Sequence, residues 1–186
     1  MCELCDEQLS PEGRSRRRIV FGGATAGALL LASPVALAEQ PRILSFYHTH
    51  TGERLRITYA ERGTHIPEAL DEINRFLRDF RSGEAHPIDP LLLDKLHQLQ
   101  QLTGGRGAYE IISAYRSPQT NQMLRSNSNG VAQRSLHMEG RAMDVRLQGV
   151  ETRRLRQAAL GLQAGGVGYY PDSDFVHVDT GRVRAW

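Results

Sequence analysis

Lysine is almost absent from this 186-residue chain: Lys95 is the only one among 23 basic residues. The basic side is therefore arginine, which suits carboxylates and phosphates but is also a common compositional habit. A formal net charge of +2 is too small for a nucleic-acid footprint. Cysteine is nearly as scarce. Cys2 and Cys5 are the only two, and no second C-x-x-C pair completes a four-thiolate zinc site. Internal repeats and low-complexity tracts are missing beyond the first forty residues. No run of about twenty strongly apolar residues marks a permanent membrane span.

What is present begins with a leader. Ser15-Arg16-Arg17-Arg18-Ile19-Val20 is a basic run that opens a mild apolar stretch rich in Gly, Ala and Leu. It ends in Ala36-Leu37-Ala38, a small-x-small cleavage pattern. The twin arginine resembles signals of the twin-arginine (Tat) export route. The expectation is a Tat signal over residues 1–38, cleaved after Ala38, with the Tat translocon as partner during export. The destination is then the periplasm or cell envelope. Both cysteines leave with the leader, so the domain of residues 39–186 holds no thiol. Its stability must come from its core, and any metal must be held by histidine and carboxylate.

Hydrophobic content of 40% and charged content of 24% suit one globular domain of this length. Alternation predicts a hairpin over residues 42–60. Helical periodicity predicts helices from Pro67 to Phe80 and from Pro90, capped by Asp89, to Gly104-Gly105. A strand follows at Tyr109 to Ala114, then a short helix from Pro118 and a polar loop from Ser126 to Gly130. A strand from Ala142 to Leu147 and a helix from Val150 to Gln163 come next. Two strands, Val167–Tyr170 and Phe175–Thr180, close the chain. The pattern predicts an α+β domain, an antiparallel sheet with helices packed on it.

The densest chemistry lies in Ser135-Leu136-His137-Met138-Glu139-Gly140-Arg141-Ala142-Met143-Asp144, with the skeleton S-x-H-x-x-G-x-A-x-D. Gly140 allows a positive-φ turn that folds His137 back towards Asp144. Downstream stands Asp174-Phe175-Val176-His177-Val178-Asp179. On an extended strand His177 shares a face with Phe175 and Asp179. Two imidazoles and one carboxylate are three ligands for one Zn²⁺, and a catalytic site keeps its fourth position for water. Asp179 suits an outer partner to the His177 imidazole. A lone histidine on a strand is more often an ordinary residue, so the weight rests on the full pattern. His48 and His50 share one hairpin face without further ligand spacing. Tyr169 and Tyr170 lead towards the site; either lines the cleft or packs in the core.

This combination resembles the zinc D-Ala-D-Ala peptidases of the hedgehog/DD-peptidase fold. Within them it is similar to the MepK-like murein endopeptidases, through Gly166-Val167-Gly168-Tyr169-Tyr170 and Phe175–Gly181. The resemblance implies a zinc metallopeptidase that hydrolyses amide bonds in peptidoglycan cross-links, with one Zn²⁺ on His137, Asp144 and His177. It also implies Asp174 as the general base that activates the zinc water. Arg116, in Ser113-Ala114-Tyr115-Arg116, faces the developing oxyanion, and Ser135 contacts substrate or supports the zinc loop. Two alternatives stay open: a D,D-carboxypeptidase or dipeptidase trimming stem peptides, and a non-catalytic wall-binding domain. The absence of a large insertion between Asp144 and His177 favours an open groove, and hence the endopeptidase.

Overall fold

Alternating apolar side chains in the first stretch build a hairpin of β1 (Arg42–His48) and β2 (Arg54–Glu61), edged by β3 (Thr64–His65). The structure is a computed structural model that describes residues 40–127 and 131–186. The expected leader and its cleavage site, and part of the loop expected at 126–130, lie outside those residues. Helix α1 (Pro67–Phe76) starts on its proline, as expected, but stops short of Phe80. The reason is Asp79. Its buried carboxylate accepts from the Arg81 and Ser117 backbone N–H groups, both at 2.9 Å, which a helical Asp79 would not reach. Helix α2 (Pro90–Thr103) is capped by Asp89 Oδ1, which accepts from Leu91 N–H at 3.0 Å, and is closed by left-handed Gly104.

The remaining elements are β4 (Tyr109–Ser113), α3 (Pro118–Asn127), β5 (Ala142–Leu147), α4 (Thr152–Leu162), β6 (Gly166–Tyr170), β7 (Phe175–Asp179) and β8 (Arg184–Ala185). They form one eight-stranded sheet in the order β3-β2-β1-β4-β5-β7-β6-β8. The sheet is mixed rather than wholly antiparallel: β1 pairs with β4, and β6 with β8, in parallel. The cause of the first is connectivity. Two helices intervene between the hairpin and β4, a crossover long enough to return the chain in the same direction.

Ile73, Leu92, Leu93, Leu96, Leu99 and Leu155 of the helices share one core with Leu44, Ile111, Met143, Val145, Val176 and Val178 of the sheet. On β5 and β7 the period of two sends Met143, Val145, Val176 and Val178 into that core. Asp144 and His177, directly paired across the two strands, are left for the other face. Among the described residues no helix is long and apolar enough to cross a membrane.

The single lysine sits in this core. Lys95 on α2 is 3% exposed, and its ammonium donates to the Asp179 carbonyl at 3.0 Å. Burial pushes its pKa down to about 8, against a partial upward pull from Asp179. The unfolded chain therefore holds this proton more tightly than the folded one, so stability rises with pH between about 8 and 10. Urea unfolding across that window is expected to show a rise of about 2 kcal/mol in the native protein that is absent in Lys95→Met.

Candidate metal centre

His137 lies on a single 3-10 turn, Leu136–Glu139, that runs into β5 through left-handed Gly140 at φ 65°. A Cβ on Gly140 would collide with the Pro87 carbonyl. The approach is tight because the Gly140 carbonyl accepts from Asp89 N–H at 3.0 Å, tying the turn to the start of α2. Gly140→Ala is expected to cost roughly 3 kcal/mol or more in chemical denaturation, from a disfavoured φ plus overpacking.

The turn and the β5–β7 pairing bring three ligand-type atoms together. His137 Nε2 is 3.2 Å from His177 Nδ1 and 3.4 Å from Asp144 Oδ1, and His177 Nδ1 is 2.8 Å from Asp144 Oδ1. Ligands of a tetrahedral zinc at about 2.0–2.1 Å stand roughly 3.3 Å apart. The opposite ring nitrogens are both occupied. His137 Nδ1–H donates to the Ala114 carbonyl at 2.7 Å, which leaves the Nε2 lone pair facing the cluster. His177 Nε2 pairs with Asp179 Oδ2 at 3.0 Å, which directs Nδ1 inward. Such outer partners fix ring orientation in metal sites. All three residues are buried, and among the described residues they form the one group of three or more that could hold a metal ion. The donor set fits zinc.

The electrostatics are polarised accordingly. Burial opposes ionisation of Asp144, but His137 and His177 hold its carboxyl well below the usual range. Burial alone would lower the His177 pKa; hydrogen bonds to Asp144 and Asp179 outweigh it and raise it. The centre is thus built to gather a cation beside an ionised carboxylate.

Arg116 borders the cluster, with Nη2 3.8 Å from Asp144 Oδ2. Ser113 Oγ at 3.3 Å and Asn121 Oδ1 at 3.5 Å steady its guanidinium, while its buried Nε has no partner. A buried, unpartnered N–H is costly, and here it belongs to a cleft-lining cation. Ser135 lines the same cleft of about 560 Å³, together with Arg134, Tyr170, Phe175, Arg184 and Trp186.

Two expected site residues stand elsewhere. Asp174 is not brought to the cluster. It occupies the β6–β7 turn at φ 50°, and its carboxylate accepts from Thr152 Oγ1 at 2.7 Å and lies 3.7 Å from Arg146. It lines a separate cleft at the start of α4. The left-handed backbone of the turn and the contacts to Thr152 and Arg146 hold its carboxylate there. Tyr169 lines that second cleft as well, with the Arg156 guanidinium 5.1 Å from its ring centre. Tyr170 lines the metal cleft instead. Its register partner Phe175 lies on the His177 face, whereas Tyr169 pairs with core-facing Val176. The parity of β7 relative to His177 could have chosen between the tyrosines. Arg184 and Trp186 gave no such signal, since nothing in the spacing indicates that β8 folds back beside β6.

Residues 36–186 match the family model described as peptidoglycan L,D-endopeptidase MepK. The peptidoglycan L,D-endopeptidase MepK of Escherichia coli K12 is 42% identical over 178 residues, covering 94% of this chain and 98% of that protein. The Shigella flexneri protein of the same name matches to the same extent. A probable peptidoglycan L,D-endopeptidase MepK of Haemophilus influenzae is 40% identical, covering 92% of this chain and 94% of its own length. No solved structure matches the chain significantly.

Proposed function

This chain belongs to the peptidoglycan L,D-endopeptidase MepK family, and from that premise we propose that it is a zinc-dependent endopeptidase cutting amide bonds in peptidoglycan peptide cross-links. The observation that carries the reading is the convergence of His137 Nε2, Asp144 Oδ1 and His177 Nδ1 at 2.8–3.4 Å, with both outer ring nitrogens already engaged. These three residues would hold the zinc. Bound there, zinc supplies a Lewis acid and a nucleophile competent at neutral pH.

The chain's own groups supply the rest. Arg116 presents a fixed guanidinium beside the cluster, where negative charge grows on the carbonyl oxygen during amide hydrolysis. Its Nη groups, steadied by Ser113 and Asn121, are the donors nearest the Asp144 carboxylate. Ser135 places the first residue of the His137 turn at the cleft wall. Between β5 and β7 the chain contributes α4, which packs against these strands, and β6, with no inserted segment to roof the cleft. A cleft without an insertion between β5 and β7 suits a branched, cross-linked substrate over a free dipeptide. The hedgehog/DD-peptidase reading of the fold and export by a twin-arginine leader belong to the same proposal, since the substrate lies outside the cytoplasm.

The general-base role suggested for Asp174 is not part of it. Asp174→Asn is expected to keep cleavage of cross-linked muropeptides within about threefold of the native rate, because its carboxylate faces Thr152 and Arg146. A loss of a hundredfold or more would return the base to Asp174. The proposal as a whole is tested by mass spectrometry of purified sacculi treated with the protein. Cross-linked dimers should fall and monomers should rise, and intact dimers after treatment with the zinc-loaded protein would refute it.

A further inference from the structure

Past the metal cluster, β8 folds back in parallel beside β6, and the side chains of Arg184 on it and Trp186 just after it lie on the His177 side of the centre. Arg184 Nη2 is 2.6 Å from Asp179 Oδ2, and Nη1 is 3.1 Å from Oδ1. Asp179 is fully buried and also accepts from Gly166 N–H and Gly181 N–H, both at 2.8 Å. Its Oδ2 is the partner of His177 Nε2. Trp186 sets its indole 5.2 Å from the His177 ring, centre to centre, and its Nε1–H donates to Tyr170 Oη at 2.9 Å. The Arg184 guanidinium stands 4.9 Å from the same indole.

The sequence of β6 makes room for this layer. A Cβ on Gly166 would strike Asp179 Oδ2 and lie 2.5 Å from Arg184 Nη1. A Cβ on Gly168 would lie 2.7 Å from the Trp186 indole. The two glycines of Gly166-Val167-Gly168 therefore leave room for a guanidinium beside Asp179 and an indole beside His177.

Resting on the metal-centre reading above, we infer that Arg184 and Trp186 are positioning residues of that centre: Arg184 fixes Asp179, Asp179 fixes the His177 ring, and Trp186 covers it. Neither residue is a ligand. Arg184 holds the carboxylate in the one orientation that occupies Nε2 and leaves Nδ1 for a metal. The two-pronged contact also offsets the cost of burying the Asp179 carboxylate. Trp186 shields one face of the imidazole from water and limits its tilt. A merely structural role for β8 predicts a change in folding stability alone. A positioning role predicts a change in metal affinity in protein that is still folded.

The test is zinc affinity by chelator competition in Arg184→Gln, Arg184→Lys and Trp186→Phe, with folding followed by circular dichroism. Arg184→Gln is expected to weaken zinc binding about 10–100-fold while the chain stays folded, because Asp179 keeps its two backbone donors. Arg184→Lys keeps the charge but loses the two-pronged contact, and should fall between native and Arg184→Gln. Cobalt(II) loaded in place of zinc should show altered visible bands in Arg184→Gln, reporting a changed ligand geometry. If Arg184→Gln fails to fold, Arg184→Lys is decisive, with weaker zinc binding than native expected. Trp186 is the only tryptophan, so cobalt uptake should quench native fluorescence. Native zinc affinity in the folded arginine variants overturns this inference alone. A native chain that takes up no zinc overturns the metal-centre reading and this inference with it.

Discussion

His137→Ala is expected to lower cleavage of cross-linked muropeptides by roughly a thousandfold or more and to abolish stoichiometric zinc uptake. His137 is the ligand whose loss is easiest to interpret. It reaches the cluster from a short turn, and its other nitrogen bonds only the Ala114 carbonyl. Removing it leaves two ligand-type groups, Asp144 and His177, still hydrogen-bonded to each other at 2.8 Å. Two ligands cannot hold a catalytic zinc as three do. The fold should survive, because the turn is anchored through Gly140 and Asp89 rather than through the imidazole. Near-native circular dichroism with metal and activity both lost is the expected pair of results. Activity above about a tenth of native would place the metal elsewhere.

Arg116→Ala separates transition-state stabilisation from metal holding. The expected loss in kcat is about a hundredfold to a thousandfold, the size typical of removing one oxyanion donor. Zinc affinity should change little, since Arg116 touches Asp144 only through Oδ2 at 3.8 Å, while Oδ1 faces the histidines. Arg116→Lys should recover only part of the rate. A lysine offers a point charge without the planar fork that Ser113 and Asn121 steady. Equal losses in kcat and zinc affinity would make Arg116 a support of the metal site and no more.

Where periodicity and capping chemistry are local, sequence and structure coincide. Strand β5 runs from Ala142 to Leu147 as expected, and Asp89 caps α2 from the position its spacing indicates. Gly140 adopts the positive φ that the H-x-x-G-x-A-x-D spacing calls for. The departures have tertiary causes. Helix α1 ends early because Asp79 is drawn into hydrogen bonds with the backbone N–H groups of Arg81 and Ser117, both further along the chain. The parallel pairs in the sheet depend on where crossovers land, and a run of alternating residues does not encode that. Within the site, His137, Asp144 and His177 were legible because a glycine turn and a strand period place them. Strand parity on β7 distinguishes Tyr170 from Tyr169, whereas the left-handed turn that holds Asp174 beside Thr152 has no such period. The Arg184–Asp179 pair joins residues only five apart, on two strands that are not neighbours in the sheet; it depends on the parallel return of β8 beside β6, which no strand period encodes.

The most direct measurement follows muropeptides by liquid chromatography and mass spectrometry. Sacculi are digested by the native chain, by the chain stripped with chelator, and by the stripped chain resupplied with one equivalent of zinc. Cross-linked dimers should disappear in the first digest, persist in the second and disappear again in the third. Dimers cleaved equally well by the stripped chain would contradict a zinc centre at His137, Asp144 and His177 as the source of the activity.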